Sequence, residues 1–388
     1  MTSKRKLKIA WANEGLGFNY TGWRQKDMPI DASTNIDFYV KHAKLAEQGL
    51  FDFMFLFDIS HVGAGNFPHF LSKFEGVSIM SALSMVTTHI GLAPTIATSY
   101  ADPFTVARQI ASLDKISRGR AAWNAITSNL GGTANHSRTY LQKADLYPMH
   151  REFLEIVSGL WDTYEDDAFI RDKSSGVFFD PLKMHSLNYK GRYFQVSGPL
   201  NISRSVQGRP VIITAGTSSA LMENSSKYAD VLLAPRVDVE PVPGYYLEAT
   251  KRFSNEIKSR VALAGRSPED FLVMAMQTPL VGETEAEAEE KFQELQSTLP
   301  SNYVIPKPIF FGTAEKVADQ VEQWYKSGAI DILLIRQDHL SGLQDFVELV
   351  VPILQDKGIF RREYESNTLR GNLELSYPEN RYAAIRKP

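Results

Sequence analysis

Eight short runs of β-branched and apolar residues punctuate this chain, each followed by loop residues and then by a helical pattern. They occupy residues 7–12, 51–57, 90–96, 121–126, 211–214, 231–234, 271–276 and 332–335. Runs this short, apolar at consecutive positions rather than alternate ones, fit strands of a parallel sheet covered on both faces. Between them the spacing turns helical. Ile36, Tyr39, Val40, Ala43 and Ala46 recur every three or four residues until Gly49 ends the pattern. Asp102-Pro103 offers an N-cap and a first-turn proline ahead of Phe104, Ala107, Ile110 and Leu113. Val317, Val321 and Trp324 precede Gly328, and Leu343, Phe346, Val350 and Leu354 precede Gly358. Eight strands alternating with helices predict an α/β fold of the (β/α)8 barrel type. A miscounted strand would leave the open, doubly wound sheet as the alternative.

Two connections exceed a plain helix. Residues 127–209 hold a helix at about 149–164 plus a polar, aromatic-rich excursion, and residues 282–312 follow the seventh run. From about residue 355 to 388 the chain is polar with scattered aromatics, an arm expected to lie over the barrel or a neighbouring subunit. Neither insertion has the composition of a separate domain, so residues 1–388 are read as one. The chain has 43% hydrophobic and 22% charged residues, as soluble globular proteins do. A net charge of −3 gives no reason to expect nucleic acid or an anionic membrane as partner. The absence of cysteine excludes disulfides, thiol nucleophiles and thiolate-bound zinc, and fits a reducing compartment. The N-terminal "MTSKRKLKIAWANEG" lacks a signal peptide's apolar core, and no apolar stretch approaches a membrane span, so a cytoplasmic protein is expected.

In a barrel, the C-terminal ends of the strands share one face, and function collects there. The fifth run ends in "VIITAGTSSA": Gly216 lets backbone approach a ligand closely, and Ser218 and Ser219 bring hydroxyls beside a helix's free N–H groups. That combination suits a phosphate, although an ordinary turn with a serine N-cap reads the same way. Asp58 stands just past the apolar "FMFLF"; Thr95, Thr98, Ser99 and Tyr100 crowd the end of the third run; Asn124 sits inside the fourth, ahead of Thr127 and Ser128. Trp11 and Asn13 end the first run, as core or as pocket lining. His136 and His185 lie in the long excursion as candidates to meet substrate. His61 and His69 flank "VGAGNFP" without metal-ligand spacing and read as surface or pocket rim. Glu165, Asp166 and Asp167 read as a solvated helix end. No G-x-G-x-x-G after a strand, P-loop or G-x-S-x-G occurs, so nicotinamide and nucleotide binding lack a motif.

Taken together, "LDKISRGRAAWNAITS", "EFLEIVSGLWD", "QGRPVIITAGTSSA", "GTAEKVADQVEQWYKSGAID" and "DFVELVVPILQDKGIFRREYESNTLR" resemble the bacterial luciferase-like flavin monooxygenases. The similar branch is the two-component group of nitrilotriacetate, EDTA, dibenzothiophene-sulfone and long-chain alkane monooxygenases, and the resemblance spans almost the whole chain. It implies a TIM barrel that binds reduced FMN non-covalently, receives it from a separate NAD(P)H-dependent flavin reductase, and uses O2 to oxidise a small organic substrate. Assembly as a homo-oligomer, dimer or tetramer, is implied too. By the same resemblance Asp58, Thr95 and Asn124 lie near the isoalloxazine ring. Tyr147 matches the tyrosine preceding "EF", and Ala215, Gly216, Ser218 and Ser219 match the phosphate loop. No catalytic side chain and no metal ligand is assigned.

Departures accompany the match. Lys143 and Leu146 stand at the His and Arg places of the family's His-x-x-Arg-Tyr, and Tyr189 stands where relatives often carry histidine. The stretch between "EKFQELQSTLP" and "IFFGTAEKVADQ" is shorter than in the large members, which implies a substrate pocket of different shape. A deazaflavin-dependent oxidoreductase and a non-catalytic flavin-binding protein are the alternatives that these departures leave open.

Overall fold

The computed structural model describes residues 5–59, 61–128, 142–235, 244–299 and 304–386. Each of the eight apolar runs forms a strand: β1 (Lys8–Ala12), β2 (Phe53–Leu56), β3 (Gly91–Ala97), β4 (Ala122–Ile126), β5 (Val211–Ala215), β6 (Val231–Leu233), β7 (Leu272–Gln277) and β8 (Ile332–Ile335). All pair in parallel, and β8 pairs back onto β1 with Lys8 opposite Ile332. The barrel is closed, and the open-sheet alternative falls.

Alternation along the strands explains why both faces are apolar. Ala10, Ala12, Phe53, Phe55, Ala93, Val211, Ile213, Met274 and Leu334 fill the barrel. Ile9, Trp11, Met54, Leu92, Trp123, Ile212, Val273 and Leu333 pack outward against the helices. Trp11 therefore does not line a pocket. It stacks on His42 with ring centroids 6.2 Å apart and planes 9° from parallel.

The helical layer comprises α1 (Ile36–Gln48), α2 (Gly76–Ser84), α3 (Pro103–Ile116), α4 (Lys143–Trp161), α5 (Ser219–Tyr228), α6 (Tyr245–Leu263), α7 (Glu285–Ser297), α8 (Ala314–Lys326) and a helical stretch over 342–356. Gly49 caps α1, and the Asp102 carboxylate accepts the Thr105 N–H at 2.8 Å ahead of Pro103. α4 begins at Lys143, well before the expected start near 149, and carries Pro148 inside it. After β7, Leu280–Gly282 pairs in parallel with Phe311–Thr313, and α7 packs on that pair through Ala288, Phe292 and Leu295.

The C-terminal arm seals the N-terminal end of its own barrel. Leu369, Leu373 and Leu375 join the interior cluster. Arg361 Nη2 lies 2.5 Å from the Asp52 carboxylate just before β2, and Arg370 forks onto Asp230, just before β6, at 2.9 and 3.0 Å. The acidic run after α4 is solvated in part, with Asp166 and Asp167 exposed and Glu165 buried. Asp162 takes bonds from Arg204, Arg209 and Arg381, Asp166 pairs with Arg204 at 2.7 Å, and Glu165 is only 7% exposed. Among the described residues no helix is long and apolar enough to cross a membrane.

Candidate active site

Thr95 and Asn124 are direct register partners near the C-terminal ends of β3 and β4, on the inward-facing parity shared by Ala93 and Ala122. The Thr95 hydroxyl donates to the Leu56 carbonyl at 2.7 Å and accepts from Asn124 Nδ2 at 2.8 Å. Both side chains are buried. Asn124 Oδ1 has no partner among the described residues. A buried acceptor left alone costs about 1–3 kcal/mol, so this amide oxygen calls for a donor that the described residues do not supply.

At the end of β5 the chain turns through Gly216 with φ 135°, a conformation that a side chain disfavours. A Cβ there would lie 2.5 Å from Leu221 Cδ2. Ser218 then caps α5, its Oγ accepting the Leu221 N–H at 3.3 Å, while the N–H groups of Ser219 and Ala220 belong to the first turn and have no acceptor within the helix. Arg260, from α6, donates to Ser219 Oγ at 3.1 Å and brings positive charge to the same turn. Tyr147 is half-buried on α4, and its carbonyl accepts Asn224 Nδ2 of α5 at 2.9 Å. The packing of α4 on α5 thus brings Tyr147 to the helix that Ala215, Gly216, Ser218 and Ser219 begin.

Other expected residues fare differently. Asp58 is committed within the protein: Lys73 Nζ lies 2.6 Å from Oδ1 and the Gly76 N–H donates to Oδ2 at 3.0 Å, tying the end of β2 to α2. Asn13 is 1% exposed, and both of its amide atoms lack partners among the described residues. His185 is not at the mouth. It bonds Glu165 at 2.7 Å and stacks on Tyr382 with centroids 4.1 Å apart, beyond the C-terminal end of α4 and under the barrel. Tyr189 is also remote from the mouth, bonding Glu155 on α4 at 2.8 Å in a cavity that Asp230 and Arg370 share. His136 falls outside the described residues.

Sequence reasoning missed three buried groups. His69, read as surface or rim, is fully buried, with Nε2 2.6 Å from Glu14 Oε2 and Nδ1 2.8 Å from Ser33 Oγ. The order Ser–His–Glu looks hydrolytic, but the Ser33 oxygen is buried and already accepts the Leu16 N–H at 3.2 Å, so the trio braces the loops after β1 and β2. His150 on α4 is fully buried, with Nδ1 3.1 Å from Thr98 Oγ1 and Nε2 unpartnered among the described residues. Burial holds its pKa down to about 4, so the imidazole is neutral at physiological pH. Arg336, immediately after β8, is 2% exposed, with Nε and Nη1 unpartnered among the described residues. Its signal was available in "ILLIRQDHL", where a charge ends an apolar run as Asp58 does.

Residues 19–307 match the family described as luciferase-like monooxygenase. The chain belongs to the luciferase-like monooxygenases. It is 39% identical to the N-acetyl-S-(2-succino)cysteine monooxygenase of Bacillus subtilis (strain 168), covering 99% of this chain and 100% of that protein. It is 32% identical to nitrilotriacetate monooxygenase component A of Aminobacter aminovorans, covering 99% of each. The crystal structure of a long-chain alkane monooxygenase superposes with a TM-score of 0.86 at 27% identity, over 99% of this chain and 100% of that one. As a luciferase-like monooxygenase the protein is an oxidoreductase, and its barrel is that of its structural neighbours. The alignment with the Bacillus protein runs over 448 positions against 388 residues here, so this chain lacks residues that the relative carries.

Proposed function

We propose that this luciferase-like monooxygenase is the oxygenase of a two-component system, using reduced FMN delivered by a separate NAD(P)H-dependent flavin reductase to oxidise a small organic substrate with O2. The observation that carries the reading is Asn124 Oδ1, an acceptor buried inside the barrel with no donor among the described residues. An N–H of a flavin ring is such a donor. The turn at Gly216–Ala220 fits the other end of FMN, since first-turn N–H groups, the Ser218 hydroxyl and the helix dipole favour a phosphate. The name of the Aminobacter relative, a component A, supports a separate partner.

Reduced FMN, when bound, would supply two electrons for activating O2 and the substrate the other two, so that one oxygen atom enters the substrate and the other leaves as water. The chain's own residues do the rest. Thr95, anchored on the Leu56 carbonyl, fixes the rotamer of Asn124 so that Oδ1 is presented inward. Ser218, Ser219 and Ala220 would hold the phosphate, with the Arg260 charge behind Ser219. His150, neutral and with Nε2 unpartnered among the described residues, is able to hold or pass a proton at that atom.

Oxygen uptake tests this directly. With FMN, NADH and a generic flavin reductase, a panel of sulfides, amines and aminocarboxylates should contain a compound that stimulates oxygen consumption and emerges carrying one added oxygen. NADH without the reductase should leave bound FMN oxidised, because no nicotinamide motif is present. Flavin bleaching by NADH alone would contradict the two-component reading, and flavin binding without turnover would mark a carrier.

A further inference from the structure

We propose that the cavity between β7, β8 and the segment after β7 binds substrate through a carboxylate, with Arg336 as its anchor. This rests on the proposed function for its catalytic meaning, although binding itself needs no flavin. The backbone N–H of Arg336 donates to the Gln277 carbonyl at 2.9 Å, extending the β8–β7 ladder and fixing where the side chain starts. Its guanidinium lies 5.2 Å from the Phe18 ring centre. Among the described residues only Nη2 is engaged, by both oxygens of Asp338 at 2.9 and 3.0 Å. A guanidinium cannot shed its charge, and one buried with free N–H groups is costly until an acceptor arrives. Asp338 does not cancel it, because that carboxylate is 25% exposed, where solvent screens it, against 3% for the Arg336 side chain.

The surroundings narrow the ligand further. Arg336 lines a cavity of about 200 Å³ whose other walls include Phe18, Phe67, Leu280, Phe292 and Ile309. The lining is mixed, with Asn19, Gln277, Thr278 and Asp338 beside the apolar walls, so the chamber fits a molecule with an apolar part and a carboxylate, whose oxygen can accept from the free Nη1–H or Nε–H. Asp338 beside the fork disfavours a doubly charged phosphate, which would meet its repulsion twice over. In a barrel of eight strands β8 stands opposite β4, so the chamber faces Asn124 across the mouth. A carboxylate held at Arg336 therefore leaves the substrate's apolar body directed toward the flavin wall.

N-acetylmethionine and its neutral twin, N-acetylmethioninamide, probe this claim by calorimetric titration into flavin-free and FMN-loaded protein. The acid should bind at least about tenfold more tightly than the amide, the worth of one charge-assisted contact near 1.4 kcal/mol. Arg336→Met should abolish that preference, and Arg336→Lys, which keeps the charge but not the fork, should reduce it and serve if the methionine variant does not fold. Equal binding of acid and amide, binding of neither, or an acid preference that survives Arg336→Met would overturn the assignment. FMN titrations of the same samples keep the two readings apart. Arg336→Met should leave FMN affinity unchanged, whereas failure of wild-type protein to bind FMN would count against the flavin assignment alone.

Discussion

Asn124 is the residue on which most depends, because its amide is half satisfied. Nδ2 has Thr95, whereas Oδ1 has nothing among the described residues. Removing the side chain deletes one internal hydrogen bond but also relieves a stranded acceptor, so the two effects on the flavin-free protein oppose each other. Asn124→Ala should therefore keep most apo thermal stability and lose FMN affinity by about tenfold, near 1.4 kcal/mol. Melts of apo and FMN-loaded protein separate the cases: a lower apo melt with an unchanged FMN-induced shift would make Asn124 structural. Strand parity in the closed barrel distinguishes Asn124 from Trp11, which the sequence left open as core or pocket lining. Ala10 and Ala12 face inward, which turns Trp11 out to His42. By contrast, His69 could not be read, because Glu14 and Ser33, the groups that bury it, are far away in the chain.

At the scale of elements, strands were legible and connections were not. Every barrel strand announces itself as an apolar run, since both its faces are covered. The C-terminal arm, polar in sequence, reads as loose covering, yet Arg361, buried at 1% exposure, reaches Asp52 beneath the barrel and the leucines around it plug the interior. Long-range pairing of this kind leaves no periodicity to find. The pair is testable. Arg361→Leu strands the fully buried Asp52 carboxylate and should destabilise the fold by about 3–5 kcal/mol in denaturant unfolding. Adding Asp52→Asn should recover a large part of the loss. A single variant as stable as wild type would show that the arm does not depend on this contact. The start of α4 was also misplaced, because Pro148 suggests a helix beginning rather than an interior position.

For the whole molecule, the closed barrel gathers at one mouth the groups that the chain keeps far apart. Asn124 and Thr95 stand on one wall, the Gly216–Ala220 turn and Tyr147 beside it, and the Arg336 cavity opposite. The fold and the turn at Gly216–Ala220 were readable because a strand, a glycine and a serine cap are local signals. The Arg336 cavity was not, since it is assembled from the loop after β1, the ends of β7 and β8 and the insertion between them. The central claim is that this mouth is an FMN site with its phosphate at Gly216–Ala220. Calorimetric titration of FMN against riboflavin, which differs only in lacking the phosphate, tests it most directly. FMN should bind at least about tenfold more tightly, and Gly216→Val should weaken FMN while changing riboflavin little. Equal affinity for the two flavins would contradict the claim.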